Sequence, residues 1–283
     1  MFAQEFMRNA FLAGTGVALA CGLVGYFVVL RAQVFAGDAL THVAFTGAVA
    51  AAAAGVDVRV GLFAATITVA LMLGALGGRT PADDVTIGVT FAWVLGLGVY
   101  FLAVFETGSG GGSGTLGVRA LFGSILGLSA VDARLAAVIA IAIAATVIAI
   151  ARPLLFASID PLVARARGVP VRALGLLFLA LLGATAAEAT QAVGALLLLG
   201  LIAAPAGAAQ RLSVNPYVAM GISGALAVIS TWAGLTISYI VPTLPPSSAI
   251  IAISSGFYLL AFIVTAERSP GRGLLAGKAR DWN

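Results

Sequence analysis

The sequence predicts an all-α, polytopic membrane protein, a bundle of eight or nine transmembrane helices. The 283-residue chain is 61% hydrophobic and only 9% charged, and its mean hydropathy is +1.11. A soluble domain carries roughly a quarter charged residues, so this chain has too few charges to keep the surface of a globule hydrated. Apolar runs long enough to cross a bilayer as helices recur along the whole chain. We treat residues 1–283 as one transmembrane domain.

Nine apolar segments qualify as candidate spans: 10–30, 39–56, 60–78, 85–105, 131–151, 173–190, 192–210, 217–240 and 249–266. The seventh is the weakest as a separate crossing, and Glu188 with Gln191 predicts the turn before it. A Gly/Ser-rich stretch, 108–114, predicts a flexible connector. Residues 121–127 are apolar but too short to span, so we expect them at the interface or in a re-entrant segment.

The distribution of lysine and arginine predicts the orientation of the chain. If the first span runs inward, eleven basic residues fall on one side and four on the other. The larger set is Arg31, Arg79, Arg152, Arg165, Arg167, Arg172, Arg211, Arg268, Arg272, Lys278 and Arg280. This asymmetry predicts an outside N-terminus, with the loop 152–172 and the tail 267–283 in the cytoplasm. The same asymmetry accounts for the net charge of +4, so a nucleic-acid partner is not needed to explain it. An eight-span threading with both ends inside remains an alternative.

The composition excludes several kinds of chemistry. The single cysteine, Cys21, permits neither an intramolecular disulfide nor a Cys-rich metal cluster, and we expect it to be an apolar packing residue. No Gly-x-x-x-x-Gly-Lys-Ser/Thr motif is present, so the chain has no P-loop for ATP. The energy for its function must come from an ion gradient or from a partner.

The only histidine, His42, follows Asp38 by four residues, so both side chains project from one face of a helix. Ionisable groups inside a bilayer are costly and are usually functional. One interpretation is a metal pathway, because carboxylate and imidazole ligands suit zinc, manganese or ferrous iron. The other is a mutual hydrogen bond that orients the helix. The basic-residue count places the pair near the cytoplasmic end of its span.

Other polar groups carry weaker predictions. Glu188 and Gln191 share a helix face and are candidate pathway residues, although their position at a span junction favours a solvated turn. We expect Thr41 and Thr46 to satisfy their hydroxyls on their own helix backbone. Arg59 should be solvated or ion-paired.

The loop 152–172 encodes a short helix. Asp160 is a good N-cap, Pro161 suits the first helical position, and Gly168 is a natural C-terminal stop. Such a helix either packs on its own domain or docks onto a cytoplasmic partner.

Several motifs together resemble a known family. Asp160, Ala164 and Gly168 form Asp-x-x-x-Ala-x-x-x-Gly-Val before an apolar span. With the segments 37–47, 121–124, 193–198 and 203–209, this pattern resembles the ABC-transporter permeases for zinc, manganese and iron. The likeness covers about residues 31–266, in the same order and spacing.

The resemblance implies a homodimeric permease in the cell membrane, two cytoplasmic ATPase subunits that bind ATP, and an extracytoplasmic metal-binding protein. Asp38 and His42 of two protomers would coordinate the imported ion, and Asp160, Ala164 and Gly168 would mark the ATPase contact. No permanently bound cofactor and no enzymatic activity are implied. Two alternatives remain: a proton-coupled secondary transporter that uses Asp38, His42 and Glu188, and an ABC permease for a metal chelate.

Overall fold

The computed structural model describes residues 4–76, 84–108, 123–195 and 198–267. Within these ranges the chain forms ten α-helices and one 3-10 helix, Ile125–Gly127. The α-helices are α1 Glu5–Leu30, α2 Val34–Ala53, α3 Val58–Leu76, α4 Asp84–Gly108, α5 Ala130–Ile159, α6 Pro161–Ala166, α7 Val171–Val193, α8 Leu198–Leu212, α9 Pro216–Ile240 and α10 Pro246–Glu267. This architecture confirms the predicted all-α class.

Eight of the described helices are long and apolar enough to cross a membrane. The seventh predicted span, 192–210, differs from the others because its helix is too short to cross a bilayer by itself. Its helix, α8, has 15 residues. At 1.5 Å per residue it is about 22 Å long, short of the roughly 30 Å hydrocarbon core of a bilayer.

The turn before α8 also differs from the prediction. Glu188 and Gln191 lie inside α7, which continues to Val193. The helix ends instead at Gly194, whose φ of 92° is accessible to glycine at little cost. Helix α7 therefore ends at Gly194 and not at the polar pair of Glu188 and Gln191.

Contacts between helix termini define two ends of the bundle. At one end, which we call the arginine-rich end, the Arg31 guanidinium donates a hydrogen bond to Ser158 at the C-terminus of α5. At the same end, the Gln210 side chain of α8 donates to the Tyr26 carbonyl. At the opposite end, which we call the Asp57 end, Asn9 of α1 donates to the Leu128 carbonyl. Helix α1 thus starts at the Asp57 end, and α10 ends at the arginine-rich end, where Arg211 stacks on its last turns. The start of α1 and the end of α10 therefore lie at opposite ends of the bundle, as the nine-span prediction requires.

Helices α1 and α2 form the core of the bundle. Helix α1 packs against α5, α8 and α9, and α2 packs against α3, α4 and α7. Close approach depends on glycine: a Cβ on Gly47 would overlap the backbone of Gly61 in α3, and a Cβ on Gly22 would overlap Gly224 in α9. Small residues at such crossings are the usual way for membrane helices to pack. Cys21 is fully buried in α1, as predicted for a packing residue.

The connection from α5 to α7 is more helical than predicted. Helix α5 continues through Pro153 to Ile159, so residues 152–159 of the predicted loop belong to a 30-residue helix. Only the centre of the predicted loop, around α6, lies between the two long helices. The 3-10 helix does not cross the bundle, and Ile125 is buried beside α1. The predicted features at 109–114, 121–122 and 268–283 lie outside the described residues.

Candidate functional site

Asp38 and His42 lie in the first half of α2, close to the arginine-rich end of the bundle. They are the fifth and ninth residues of the helix. A rise of 1.5 Å per residue places them about 6 Å and about 12 Å along the axis from Val34. Both residues are partly buried. This location agrees with the position predicted from the distribution of basic residues.

The two side chains do not hydrogen-bond each other, so the structure does not contain the predicted alternative of a mutually bonded pair. Among the described residues, neither side chain is in a hydrogen bond or an ion pair. Thr41, between them, donates to the backbone carbonyl oxygen of Asp38 at 2.7 Å. The His42 ring packs edge-on against Phe91 of α4, with 5.1 Å between centroids. Within the part of the chain that the structure describes, the donor atoms of the pair therefore have no hydrogen-bond or ion-pair partner.

One chain supplies too few donors to surround a metal ion. Within the described ranges, no group of three or more His, Cys, Asp or Glu side chains is arranged to hold one. Transition-metal sites in proteins usually have at least four ligands. A metal site at Asp38 and His42 would thus need ligands from another source.

The helix beside the pair, α4, is largely uncovered by the other described helices. It packs mainly on α2, and Thr46 of α2 donates to the Val94 carbonyl at 3.1 Å. The prediction for Thr46 is wrong, because Gly98 lets α4 approach closely enough to provide this acceptor. The prediction for Thr41 is confirmed. The far side of α4 exposes large apolar side chains, including Trp93 at 70% and Tyr100 at 60%.

Glu188 and Gln191 are not in a solvated turn. Glu188 is only 2% exposed. Gln191 accepts hydrogen bonds from Arg59 of α3, at 3.3 Å from Nε and 3.1 Å from Nη2. Arg59 is ion-paired, one of the two outcomes predicted for it. The burial of Glu188 could not be predicted from its own segment, because it depends on a basic residue that another helix provides.

Glu188 lies apart from Asp38 and His42. Its neighbour Ala187 packs against Ala44 and Ala48 of α2. Glu188 lies 3.8 Å from Arg59 near the start of α3, at the Asp57 end, whereas Asp38 and His42 lie in the first half of α2, near the arginine-rich end. The three residues proposed for a proton relay are therefore not brought together as one site within the chain.

The predicted short helix in the loop is present as α6. The Asp160 carboxylate accepts the backbone N–H groups of Leu162 and Val163, at 3.1 and 2.9 Å. Gly168 has a φ of 82° and donates to the Arg165 carbonyl, while the Val169 N–H bonds to the Ala164 carbonyl. This pair of bonds is a Schellman motif. Both ends of α6 are thus specified by local sequence, as predicted.

The outward side of α6 and of the end of α5 presents apolar residues that the sequence analysis did not single out. Ala164 is fully buried and anchors α6 against its own bundle. Ile159 and Leu162 are 68% and 76% exposed, and Val163 is exposed as well. The sequence could have predicted this surface, because apolar residues on a short, charged loop helix indicate a contact surface.

The fold defines a multi-pass membrane protein with a short helix, α6, between two of its long helices. The profile of the ABC 3 transport family matches residues 3–265. The chain therefore belongs to the ABC 3 transport family.

Relatives and a solved structure agree with this assignment. The chain is 28% identical over 276 residues to the manganese transport system membrane protein MntC of Halalkalibacterium halodurans, covering 97% of this chain and 91% of the relative. It is 27% identical over 265 residues to a probable iron transport system membrane protein of Haemophilus influenzae, covering 93% and 95%. The structure of PsaBC from Streptococcus pneumoniae in complex with Fab matches with a TM-score of 0.79 and 26% identity, covering 92% and 91%.

These findings confirm the predicted family resemblance. The protein is the membrane permease subunit of an ABC transporter in the plasma membrane, not an enzyme. ATP hydrolysis in this family belongs to a separate subunit.

Proposed function

We propose that this chain is the permease of an ATP-driven importer of divalent transition-metal ions, and that Asp38 and His42 of two copies coordinate the ion. The observation that carries the proposal is the pair itself: a carboxylate and the only imidazole of the chain on one face of α2, with no hydrogen bond or ion pair to other described residues. Ionisable groups at membrane depth without a structural partner are best explained by a ligand.

A second copy of the chain completes the site. One Asp38 and one His42 offer two donor groups and a single negative charge, whereas two copies offer four donor groups and balance the charge of a dication. Charge balance matters because Coulomb interactions are strong away from bulk water. The wide apolar surface of α4, next to His42, gives the second copy an extensive surface to pack on.

The ligand chemistry limits which metal ions the site can bind. Carboxylate oxygen and imidazole nitrogen suit manganese, ferrous iron and zinc, while copper(I) prefers sulfur and calcium prefers all-oxygen cages. The names of the relatives favour manganese and iron. Zinc remains a candidate substrate because the ligand set accepts it. Inorganic ions are favoured over a metal chelate because a chelated metal does not need these ligands.

The arginine-rich end is the cytoplasmic side in this proposal, by the positive-inside rule. Helix α6 lies at that end, and we assign Ile159, Leu162 and Val163 as its contact with the ATPase subunit. Asp160 and Gly168 hold the helix in shape, and Ala164 anchors it to the bundle. ATP-driven movement of α6 would switch the pathway between outward-open and inward-open states, and a metal-binding protein would deliver the ion at the Asp57 end.

The test is ATP-dependent uptake by the complete complex in proteoliposomes, with manganese, ferrous iron and zinc compared. Asp38→Asn and His42→Ala should each lower uptake by about 10–100-fold, since even outer-shell changes at metal sites have effects of this size. Glu5→Gln, an exposed carboxylate at the start of α1, is the matched control. Normal uptake in both variants of the pair would overturn the proposal.

A further inference from the structure

A carboxylate is buried at the Asp57 end of the bundle without a hydrogen bond. Glu188 is 2% exposed, and neither of its carboxylate oxygens has a hydrogen-bond partner among the described residues. The amide nitrogen of Gln191, one turn further along α7, is also buried without a partner. Buried polar groups are nearly always hydrogen-bonded, so two orphaned groups side by side require an explanation.

The nearest cation to Glu188 is Arg59, and it does not form a close salt bridge. Its Nη2 atom is 3.8 Å from Glu188 Oε1, and its Nη1 atom is 3.7 Å from Asp132 Oδ1. The guanidinium donates its hydrogen bonds to the Gln191 amide oxygen instead. A structural arginine–carboxylate pair usually has two parallel bonds of about 2.7–2.9 Å. Arg59 is therefore held between two carboxylates and is bonded closely to neither.

The cluster leads from the surface to the buried carboxylate. The side chain of Asp132 is 51% exposed, that of Arg59 is 16% exposed, and that of Glu188 is 3% exposed. The backbone of Arg59 is fixed, because the Asp57 carboxylate accepts its N–H at 2.8 Å as an N-cap of α3. Its guanidinium is held by hydrogen bonds to the Gln191 amide oxygen and by no close bond to a carboxylate. A groove of about 460 Å³ between α3 and α5 adjoins it.

The cluster of Glu188, Asp132 and Arg59 carries more negative than positive charge, and this balance suits a dication. Glu188 and Asp132 together carry two negative charges, and Arg59 supplies one positive charge. Replacement of the guanidinium by a divalent cation would neutralise the cluster completely. The three acceptors, two carboxylates and one amide, are hard oxygen ligands of the kind preferred by Mn²⁺.

We propose that Glu188, Gln191 and Asp132 form an entry subsite for a divalent cation, and that Arg59 is a tethered cation that occupies it until the ion arrives. The proposal rests on the proposed metal transport but concerns a different site from Asp38 and His42. Arg59 keeps monovalent cations out, because they gain too little Coulomb energy to displace it. A dication gains enough to move the guanidinium away from the three acceptors, towards the groove between α3 and α5.

The experiment measures Mn²⁺ binding by electron paramagnetic resonance on the nucleotide-free permease–ATPase complex. All variants are made in an Asp38→Asn/His42→Ala background, so that the proposed site in α2 does not contribute. Arg59→Gln should tighten Mn²⁺ binding about tenfold or more, because it removes the competing cation, whereas Arg59→Lys should retain the weak binding. Adding Glu188→Gln to Arg59→Gln should abolish binding. Arg134→Gln, an exposed arginine on α5, is the matched control and should change nothing.

The alternative is a purely structural ion pair. In that case Arg59→Gln would leave Mn²⁺ binding unchanged or weaken it, and either result would overturn the proposal. If Arg59→Gln does not give a folded complex, Asp132→Asn in the same Asp38→Asn/His42→Ala background tests the same point, because the subsite requires the Asp132 carboxylate and predicts weaker Mn²⁺ binding. Mn²⁺ binding that Asp132→Asn does not change would also refute the subsite. Normal uptake by Asp38→Asn and His42→Ala would overturn the proposed function alone, because this binding assay does not depend on those residues.

Discussion

The Arg31 guanidinium donates a hydrogen bond to the Ser158 hydroxyl at 3.3 Å, and this bond joins the end of α1 to the end of α5. Arg31 also lies over the ring of Phe178 in α7, 5.3 Å from its centroid. Burial lowers the pKa of the guanidinium from its ordinary value. Ser158 is two residues before Asp160, and Arg31 leads directly into α2. The contact therefore connects α6 with the helix that carries Asp38.

We predict that Arg31→Gln weakens this connection. Uptake by the reconstituted complex should fall several-fold while ATP hydrolysis falls less, because the α6 contact surface itself is unchanged. The measurement is the ratio of metal transported to ATP hydrolysed. Arg152→Gln, an exposed arginine on α5, is the control. An equal loss of both activities, or none, would argue against a connecting role.

A bulky residue at Gly168 should uncouple ATP hydrolysis from transport. The φ of 82° at this position costs a residue with a side chain about 1–2 kcal/mol, so Gly168→Val should distort the end of α6. The readouts are ATPase activity and uptake. Gly55→Val is a matched control, since Gly55 has a φ of 70° and open space around it but lies at the other end of the bundle. Unchanged uptake by Gly168→Val would count against the docking role of α6.

A charge on the exposed face of α6 should weaken the ATPase contact. Leu162 is 76% exposed, so Leu162→Glu should fold normally and reduce co-purification of the ATPase subunit. Val214→Glu, in the loop between α8 and α9, is fully exposed and serves as the control. Full retention of the ATPase by Leu162→Glu would show that the partner binds elsewhere.

The α2–α3 crossing should not tolerate a methyl group. Gly47→Ala places a Cβ against the backbone of Gly61, and overpacking of this kind typically costs about 1–3 kcal/mol. Thermal unfolding of the purified complex should show a lower melting temperature. Gly221→Ala, with no atoms near the added Cβ, should leave it unchanged. Equal melting temperatures would mean that α3 can move away from α2 at little cost.

Features encoded by neighbouring residues could be predicted from the sequence. The class followed from hydropathy, and α6 followed from Asp160, Pro161 and Gly168, whose effects are local. Features that depend on other helices could not be predicted. Glu188 is buried because Arg59 of α3 reaches it, and Thr46 bonds to α4 because Gly98 allows close approach. The outward face of α6 was missed because the family motif drew attention to Ala164, which faces inward.

The proposed transport function depends most on metal coordination by Asp38 and His42. Because His42 is the only histidine of the chain, its bond to a metal can be observed directly. The measurement is electron spin-echo modulation of Mn²⁺ bound to the nucleotide-free permease–ATPase complex. We predict modulation from imidazole nitrogen in the unsubstituted protein and its loss in His42→Ala. Bound Mn²⁺ without nitrogen modulation, or modulation that persists in His42→Ala, would contradict the account.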